Sequence, residues 1–301
     1  MESIFNLDFD TANIEDLVQE WVQHIYIKNK EQQEAIKNSN DFYLPFMAVP
    51  MPVVKAIFII TSHFELGPNA RYLAVYLYDK FMHNHFNEIY MAEVENGLKE
   101  ISWVQTCSKV SSQAKLCLMS CIQLASKMDS PSKALGISQV LCMLRCIAPT
   151  CTYTHNMIFN SEFKVFKTVG FQIPLFTPLH YIEVLLAATD LTQTPEIFNI
   201  SIHLLDLAFL QHEQLYTHLQ MNVHGRISMT YLDKKNYAAL ETNMLFLSAS
   251  IVLGSTFFLC LEKKAIKNLV LKLSNLIEIQ VQDILDMGNL LFSMVVQDFQ
   301  L

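Results

Sequence analysis

From Leu116 to Ala125 the chain reads Leu-Cys-Leu-Met-Ser-Cys-Ile-Gln-Leu-Ala, ten residues without a charge. Ser126-Lys127-Met128-Asp129 closes the run and the breaker Ser130-Pro131 follows it. With Ser111 or Ser112 as a cap, a helix over this stretch is apolar on every face, and such a helix persists in water only when other elements surround it. The chain is therefore committed to a bundle with this segment at its centre. A second segment, Met244–Leu261, has eighteen residues without a formal charge and is flanked by Glu262-Lys263-Lys264. A membrane-spanning helix needs about 20 predominantly apolar residues, so this one is marginal. Its Ser248, Ser250, Gly254, Ser255 and Thr256 suit close packing at the centre of a second bundle, which is the preferred reading over a membrane span.

Between these runs the breakers are sparse, 7 glycines and 9 prolines in 301 residues, which favours helices joined by short turns. Helical spacing predicts a first helix over 13–36 with Ile14, Leu17, Trp21 and Ile25 as its apolar stripe, then one from Pro52 to Leu66 and one from 69 to 83. The polar, acidic stretch 84–110, with Glu88, Glu93, Glu95, Glu100 and the lone Trp103, reads as a long loop with room for a short helix, either a partner surface or a floppy insertion. The central helix follows, then helices near 138–147, 154–169, 178–190, 195–220, 236–261, 265–280 and 281–299. The expected architecture is all-α: an N-terminal helix and linker over 1–50, a five-helix bundle over 51–175 and a second over 176–301. No period of 20–50 residues recurs, so a solenoid is not supported.

The formal charge is 21 − 29 = −8 and no run of five basic residues occurs, which argues against direct nucleic-acid binding. Met1 to Asp10 carries three acids and no base, unlike a secretory leader, so an intracellular protein is expected. The seven cysteines, Cys107, Cys117, Cys121, Cys142, Cys146, Cys151 and Cys260, form no C-x-x-C. The i, i+4 pairs Cys117/Cys121 and Cys142/Cys146 make a four-ligand metal site conceivable, but reduced thiols acting as small core hydrophobes are the preferred reading. No phosphate-binding glycine loop, G-x-S-x-G or H-E-x-x-H is present, and His83, His85, His212 and His218 stand without ligand partners at useful spacing. No catalytic residue, metal or cofactor is expected.

The central run ends in Cys121-Ile122-Gln123-Leu124-Ala125-Ser126-Lys127-Met128-Asp129, and thirty-five residues after the lysine comes Glu162-Phe163-Lys164-Val165-Phe166-Lys167-Thr168-Val169-Gly170-Phe171-Gln172-Ile173-Pro174. These segments resemble the third helix of a cyclin box and the fifth helix with its exit. Val54-Lys55-Ala56-Ile57-Phe58 is similar to the cyclin first-helix motif, and the restart after Pro178 is similar to a second cyclin-type repeat. By that resemblance Lys127 and Glu162 are the charged pair that grips a cyclin-dependent kinase, while Met128, Phe166, Phe171 and Ile173 line the apolar contact. Taken by themselves, the two charges read better as an exposed intramolecular ion pair worth about 0–1 kcal/mol; the resemblance turns the preference to partner binding. The resemblance also implies a substrate-docking patch at Val54, Lys55, Ile57 and Phe58, although Lys55, Phe58 and Thr61 depart from the usual residues. None of Arg71, Arg145 and Arg226 opens an R-x-x-L destruction signal, which points away from the mitotic clock. Three runs, CIQLASK, PLFTPLHYIEVLL and LLDLAFLQHEQLY, look closest to a divergent meiotic branch of the family. That implies a nuclear, non-catalytic kinase regulator working with recombination or mismatch-repair proteins. The rival reading is a helical adaptor that recruits recombination or ubiquitin-pathway proteins without activating a kinase; no membrane partner is expected.

Overall fold

The computed structural model describes residues 11–38, 49–95, 103–173, 176–224, 239–259 and 261–298. Among them every regular element is helical, and no helix is long and apolar enough to cross a membrane. The chain divides into two compact units, one formed by Tyr43–Thr177 and the other by Met1–Phe42 together with Pro178–Leu301.

The contiguous unit contains α2 (Met51–His63), α3 (Pro68–Glu95), α4 (Trp103–Asp129), a 3-10 turn at Pro131–Lys133, α5 (Ile137–Ile147) and α6 (His155–Thr168). Every residue of α4 from Leu116 to Ser126 is buried, and α3, α5 and α6 all pack on this helix, as an all-apolar surface requires. The few polar groups on that stretch are used in pinning neighbours. Ser120 donates to the Ser161 hydroxyl of α6 at 2.8 Å. The Gln123 amide donates to the Leu135 carbonyl at 3.1 Å, and the Ser126 hydroxyl accepts the Leu135 N–H at 3.0 Å. Two side chains of α4 thus fix the backbone that leads into α5, satisfying groups that would otherwise be buried without partners. At the other edge, Gly67 sits where an added Cβ would stand 2.6 Å from Asp129 Oδ2. Without a side chain at Gly67, the turn between α2 and α3 approaches the end of α4 and leaves the Asp129 carboxylate in place.

The expected loop over 84–110 is corrected by two helices. α3 continues to Glu95 and α4 starts at Trp103, so only the segment between them can be a connection. Burial on α3 stops at His85, after which most residues face solvent. This stretch is the continuation of a helix rather than a break, because its Glu, Met and Ala residues carry good helix propensity.

In the second unit α1 (Thr11–Asn38) joins α7 (Pro178–Ala188), α8 (Ile197–Leu210), α9 (His212–His224), α10 (Met244–Phe258), α11 (Lys263–Ile277) and α12 (Val281–Asp298). The expected single helix over 195–220 is interrupted at Gln211. α10 is buried from Met244 through Thr256; it is the apolar run that the sequence placed at a bundle centre. Its hydroxyls turn back onto its own backbone or bridge outward: Ser250 to the Phe246 carbonyl at 2.9 Å, Ser255 against Ser201 of α8 at 2.9 Å, and Ser248 to the Pro178 carbonyl at 3.1 Å. Gly254 of α10 and Gly288 of α12 face one another, a Cβ on Gly254 falling 3.4 Å from the Gly288 carbonyl oxygen. Two helices come this close where the facing side chains are no larger than a methyl group.

α1 meets α7 and α10 with a phase different from the expected stripe. Val22, Ile25 and Asn29 are buried, whereas Leu17 and Trp21 are 53% and 63% exposed; the side chain of Ile14 lies outside the described residues. The polar member of the buried stripe explains the shift. Asn29 donates to Asn243 Oδ1 at 3.1 Å and accepts the Leu245 N–H at 3.4 Å, while Asn243 caps α10 by accepting the Phe246 N–H at 2.9 Å. Asn29 is a second cap delivered from a distant helix. Replacing it with alanine should cost about 1 kcal/mol, the usual loss for a helix cap, and a melting curve of Asn29→Ala that overlays the wild type would refute this role.

Candidate functional site

α6 is built to hold one face inward and another outward. Thr154 caps it by accepting the Met157 N–H at 3.3 Å. Ile158, Ser161 and Val165 are its buried stripe, set against α4. Helical phase then turns Phe159 and Phe163 to solvent, and Glu162 to the edge shared with the end of α4. There Lys127, in the last turn of α4, donates to Glu162 Oε1. The lysine is 45% exposed and the glutamate 13%, so the carboxylate lies in the seam while the ammonium faces outward. A cation at a helix C-terminus is favoured by the helix dipole. The two residues that the resemblance pairs are thus in contact, thirty-five positions apart in sequence.

The exit of α6 completes the surface. The Phe171 N–H bonds the Phe166 carbonyl and the Gly170 N–H bonds the Lys167 carbonyl, both at 2.9 Å; this is the Schellman pairing that ends a helix. It requires a left-handed residue at Gly170 (φ +74°), and Phe171 is left-handed too (φ +57°), unusual for a bulky side chain. The motif folds Phe171 back so that its ring meets Phe166 edge-on at 5.1 Å and Phe163 at 6.4 Å. Phe171 is nevertheless 55% exposed, Phe163 56% and Met128 47%, whereas Phe166 and Ile173 are half-buried. An ion pair fringed by exposed aromatic and thioether groups is costly to leave in water and suited to a partner that desolvates it. Sequence reasoning missed Phe163. The inward stripe 158, 161, 165 leaves it facing out beside Glu162, a placement readable from helix phase.

The opposite flank anchors α6. Lys164 donates to Gln113 Oε1 at 2.9 Å and to His85 Nε2 at 3.3 Å, tying the helix to α4 and α3. Burial pushes the His85 pKa down, and the Lys164 ammonium pushes the same way, which holds the imidazole neutral with Nε2 as acceptor.

Other expected residues are not brought to a surface. Val54, Ile57 and Phe58 are buried in the core, with Phe58 edge-on to Tyr72 at 6.1 Å and under the Arg71 guanidinium at 5.4 Å. Of the expected docking patch only Lys55 is exposed; the apolar spacing of α2 is a core stripe. Trp103 opens α4 instead of lying in a loop, and its side chain is outside the described residues. Cys117 and Cys121 are buried core thiols as expected, burial raising both pKa values. Cys142 and Cys146 are exposed because short α5 buries only Val140 and Leu144, and Cys151, in the turn beyond α5, is exposed as well. No cluster able to hold a metal ion occurs among the described residues.

No family model matches the chain. The human protein named cyclin N-terminal domain-containing protein 1 is 25% identical over 213 residues, 68% of this chain and 64% of its own length. The mouse protein of the same name is 26% identical over 213 residues, 68% of this chain and 63% of its own. The match therefore spans less than two thirds of these relatives. Among solved structures, a viral cyclin from herpesvirus saimiri superposes with a TM-score of 0.56 at 12% sequence identity, covering 90% of this chain and 96% of that one. The chain has the cyclin fold, and its sequence is similar to that of cyclin N-terminal domain-containing protein 1.

Proposed function

We propose that this chain is a non-catalytic, cyclin-like regulatory subunit that binds and configures a cyclin-dependent kinase in the nucleus, in meiotic crossover designation or maturation. The observation that carries the reading is the solvent-facing edge of α4 and α6, where the Lys127–Glu162 pair is fringed by exposed Met128, Phe163 and Phe171. The charged pair offers donors and acceptors to the backbone of a partner helix, and the aromatics supply the buried area. A kinase is switched on when its αC helix moves to complete a lysine–glutamate ion pair and its activation loop orders. A rigid two-helix edge held by Ser120–Ser161 and by Lys164 with His85 and Gln113 suits that task. The meiotic setting rests on the resemblance of CIQLASK, PLFTPLHYIEVLL and LLDLAFLQHEQLY to the meiotic branch of the family.

The burial of Val54, Ile57 and Phe58 favours a second reading, an adaptor with a cyclin fold that recruits recombination or ubiquitin-pathway proteins without a kinase. Affinity purification of the full chain from meiotic tissue, followed by titration of purified cyclin-dependent kinases against it, separates the two. Recovery and direct binding of a kinase is the expected result. Recombination or ubiquitin-pathway proteins in the eluate without any kinase would reject the regulatory reading in favour of the adaptor.

A further inference from the structure

Three of the nine prolines follow a serine or threonine: Ser130-Pro131, Thr177-Pro178 and Thr194-Pro195. Each is a formal acceptor for a proline-directed kinase, but only Ser130-Pro131-Ser132-Lys133 places a base three positions after the hydroxyl; His180 and Ile197 hold the equivalent places after Thr177 and Thr194. Accessibility excludes Thr177 but leaves Thr194 half-buried like Ser130. Thr177 is buried and donates to the Asn69 side-chain oxygen, and Ile197, which would have to enter a kinase's basic-residue subsite, is buried as well. Pro131, Ser132 and Lys133 are all exposed. Ser130 has extended backbone (φ −148°, ψ 99°), the shape in which a substrate strand lies across a kinase cleft. The 3-10 turn after it carries two short-range backbone bonds, Lys133 N–H to the Ser130 carbonyl at 3.0 Å and Ala134 N–H to the Pro131 carbonyl at 3.4 Å, and the Ser130 and Ser132 hydroxyls lie 3.2 Å apart, so little structure has to open.

We propose that Ser130 is the acceptor of a proline-directed kinase that selects a base at the third position, and that the phosphate draws Lys127 away from Glu162. In the transfer Ser130 Oγ bonds the γ-phosphorus of ATP and the bond from that phosphorus to the β,γ-bridging oxygen breaks. ADP departs, and the hydroxyl proton passes to the kinase's base. The Ser130 N–H still bonds the Ser126 carbonyl at 3.1 Å, so Ser130 follows directly on the last turn of α4, three positions after Lys127, where the backbone turns from helical to extended. A phosphoserine carries a charge of about −1.5 to −2, more than the single carboxylate that now holds the lysine. It would also sit beside Asp129 and the negative end of α4, both repulsive, which makes Lys127 and Lys133 its available counterions. The consequence, loss of the kinase-binding edge, rests on the function proposed above; the modification itself does not.

The test begins with the full chain, a purified active cyclin-dependent kinase bearing its own cyclin, and ATP with magnesium, the product being mapped by mass spectrometry. One phosphoryl group on Ser130 is expected, absent from Ser130→Ala and formed about tenfold more slowly in Lys133→Ala. No incorporation, or preferential incorporation at Thr177 or Thr194, overturns the acceptor. The ³¹P titration of the product then reads the counterion: the second phosphate pKa, ordinarily about 6, should lie lower in the wild-type chain than in Lys127→Ala, and equal values overturn the capture of Lys127. Neither readout requires the chain to bind a kinase stably, so their failure is distinct from failure of the regulatory reading. Where binding is measured, the phosphorylated chain should bind at least about tenfold more weakly; equal affinity overturns the switch.

Discussion

Lys127→Glu is expected to abolish kinase capture while leaving the fold intact. Opposing like charges inside a desolvated contact costs roughly 2–5 kcal/mol. At about 1.4 kcal/mol per tenfold, that weakens binding by between about 30-fold and several thousandfold. The lysine is half-exposed, so the cost to stability should stay within about 1 kcal/mol. The exchange Lys127→Glu with Glu162→Lys is the sharper experiment. If the pair serves only to join α4 to α6, the exchanged pair restores everything. If it serves a partner, the exchange restores the melting temperature of the single variants but not binding, because the charges now face the partner's groups in the wrong order. Wild-type capture by the exchanged chain would remove Lys127 and Glu162 from the interface.

Gly288→Val should lower stability more than any surface change. A Cβ at this position already stands 3.4 Å from Leu253 Cδ2 and 3.4 Å from the Ser250 carbonyl oxygen, so the first carbon arrives at contact distance and the two methyl groups beyond it must displace α10. Overpacking of this kind costs about 3 kcal/mol, roughly a 10 °C loss in melting temperature for a unit of this size. Gly288→Ala tests the geometry from the other side. Its single carbon just fits, and alanine gains up to about 1 kcal/mol in helix propensity, so it should melt near the wild type. Equal melting of the valine and alanine variants would show that α10 and α12 do not approach this closely.

The two central helices were readable because a segment apolar on every face has one place to go. Leu116–Ser126 and Met244–Thr256 are buried throughout. Reading failed where a helix leaves the core. Beyond His85 most of the described side chains of α3 face solvent, and solvated helix and solvated loop draw on the same polar residues. It failed again where pattern alone cannot tell an apolar surface from an apolar interior: Val54, Ile57 and Phe58 suit either, and the fold puts them inside. On α1 the phase was misread because the inward stripe contains Asn29, whose value lies in capping a helix more than two hundred residues away. The Lys127–Glu162 contact could not be foreseen from spacing, since nothing local couples positions on α4 and α6; family resemblance paired them. Phe163 was within reach, because the stripe 158, 161, 165 sets the outward face without help from tertiary structure.

The division of the chain has a consequence for the order in which it is made. Tyr43–Thr177 is complete as soon as it leaves the ribosome, but α1 belongs with Pro178–Leu301. α1 therefore waits while the residues up to Leu301 are translated, roughly ten to fifty seconds at the usual rate of elongation. Throughout that interval Val22 and Ile25 have no core to enter and Asn29 has no helix to cap. A ribosome stalled once Thr177 has cleared the exit tunnel would carry one finished bundle and one bare amphipathic helix, the nascent state most in need of a chaperone.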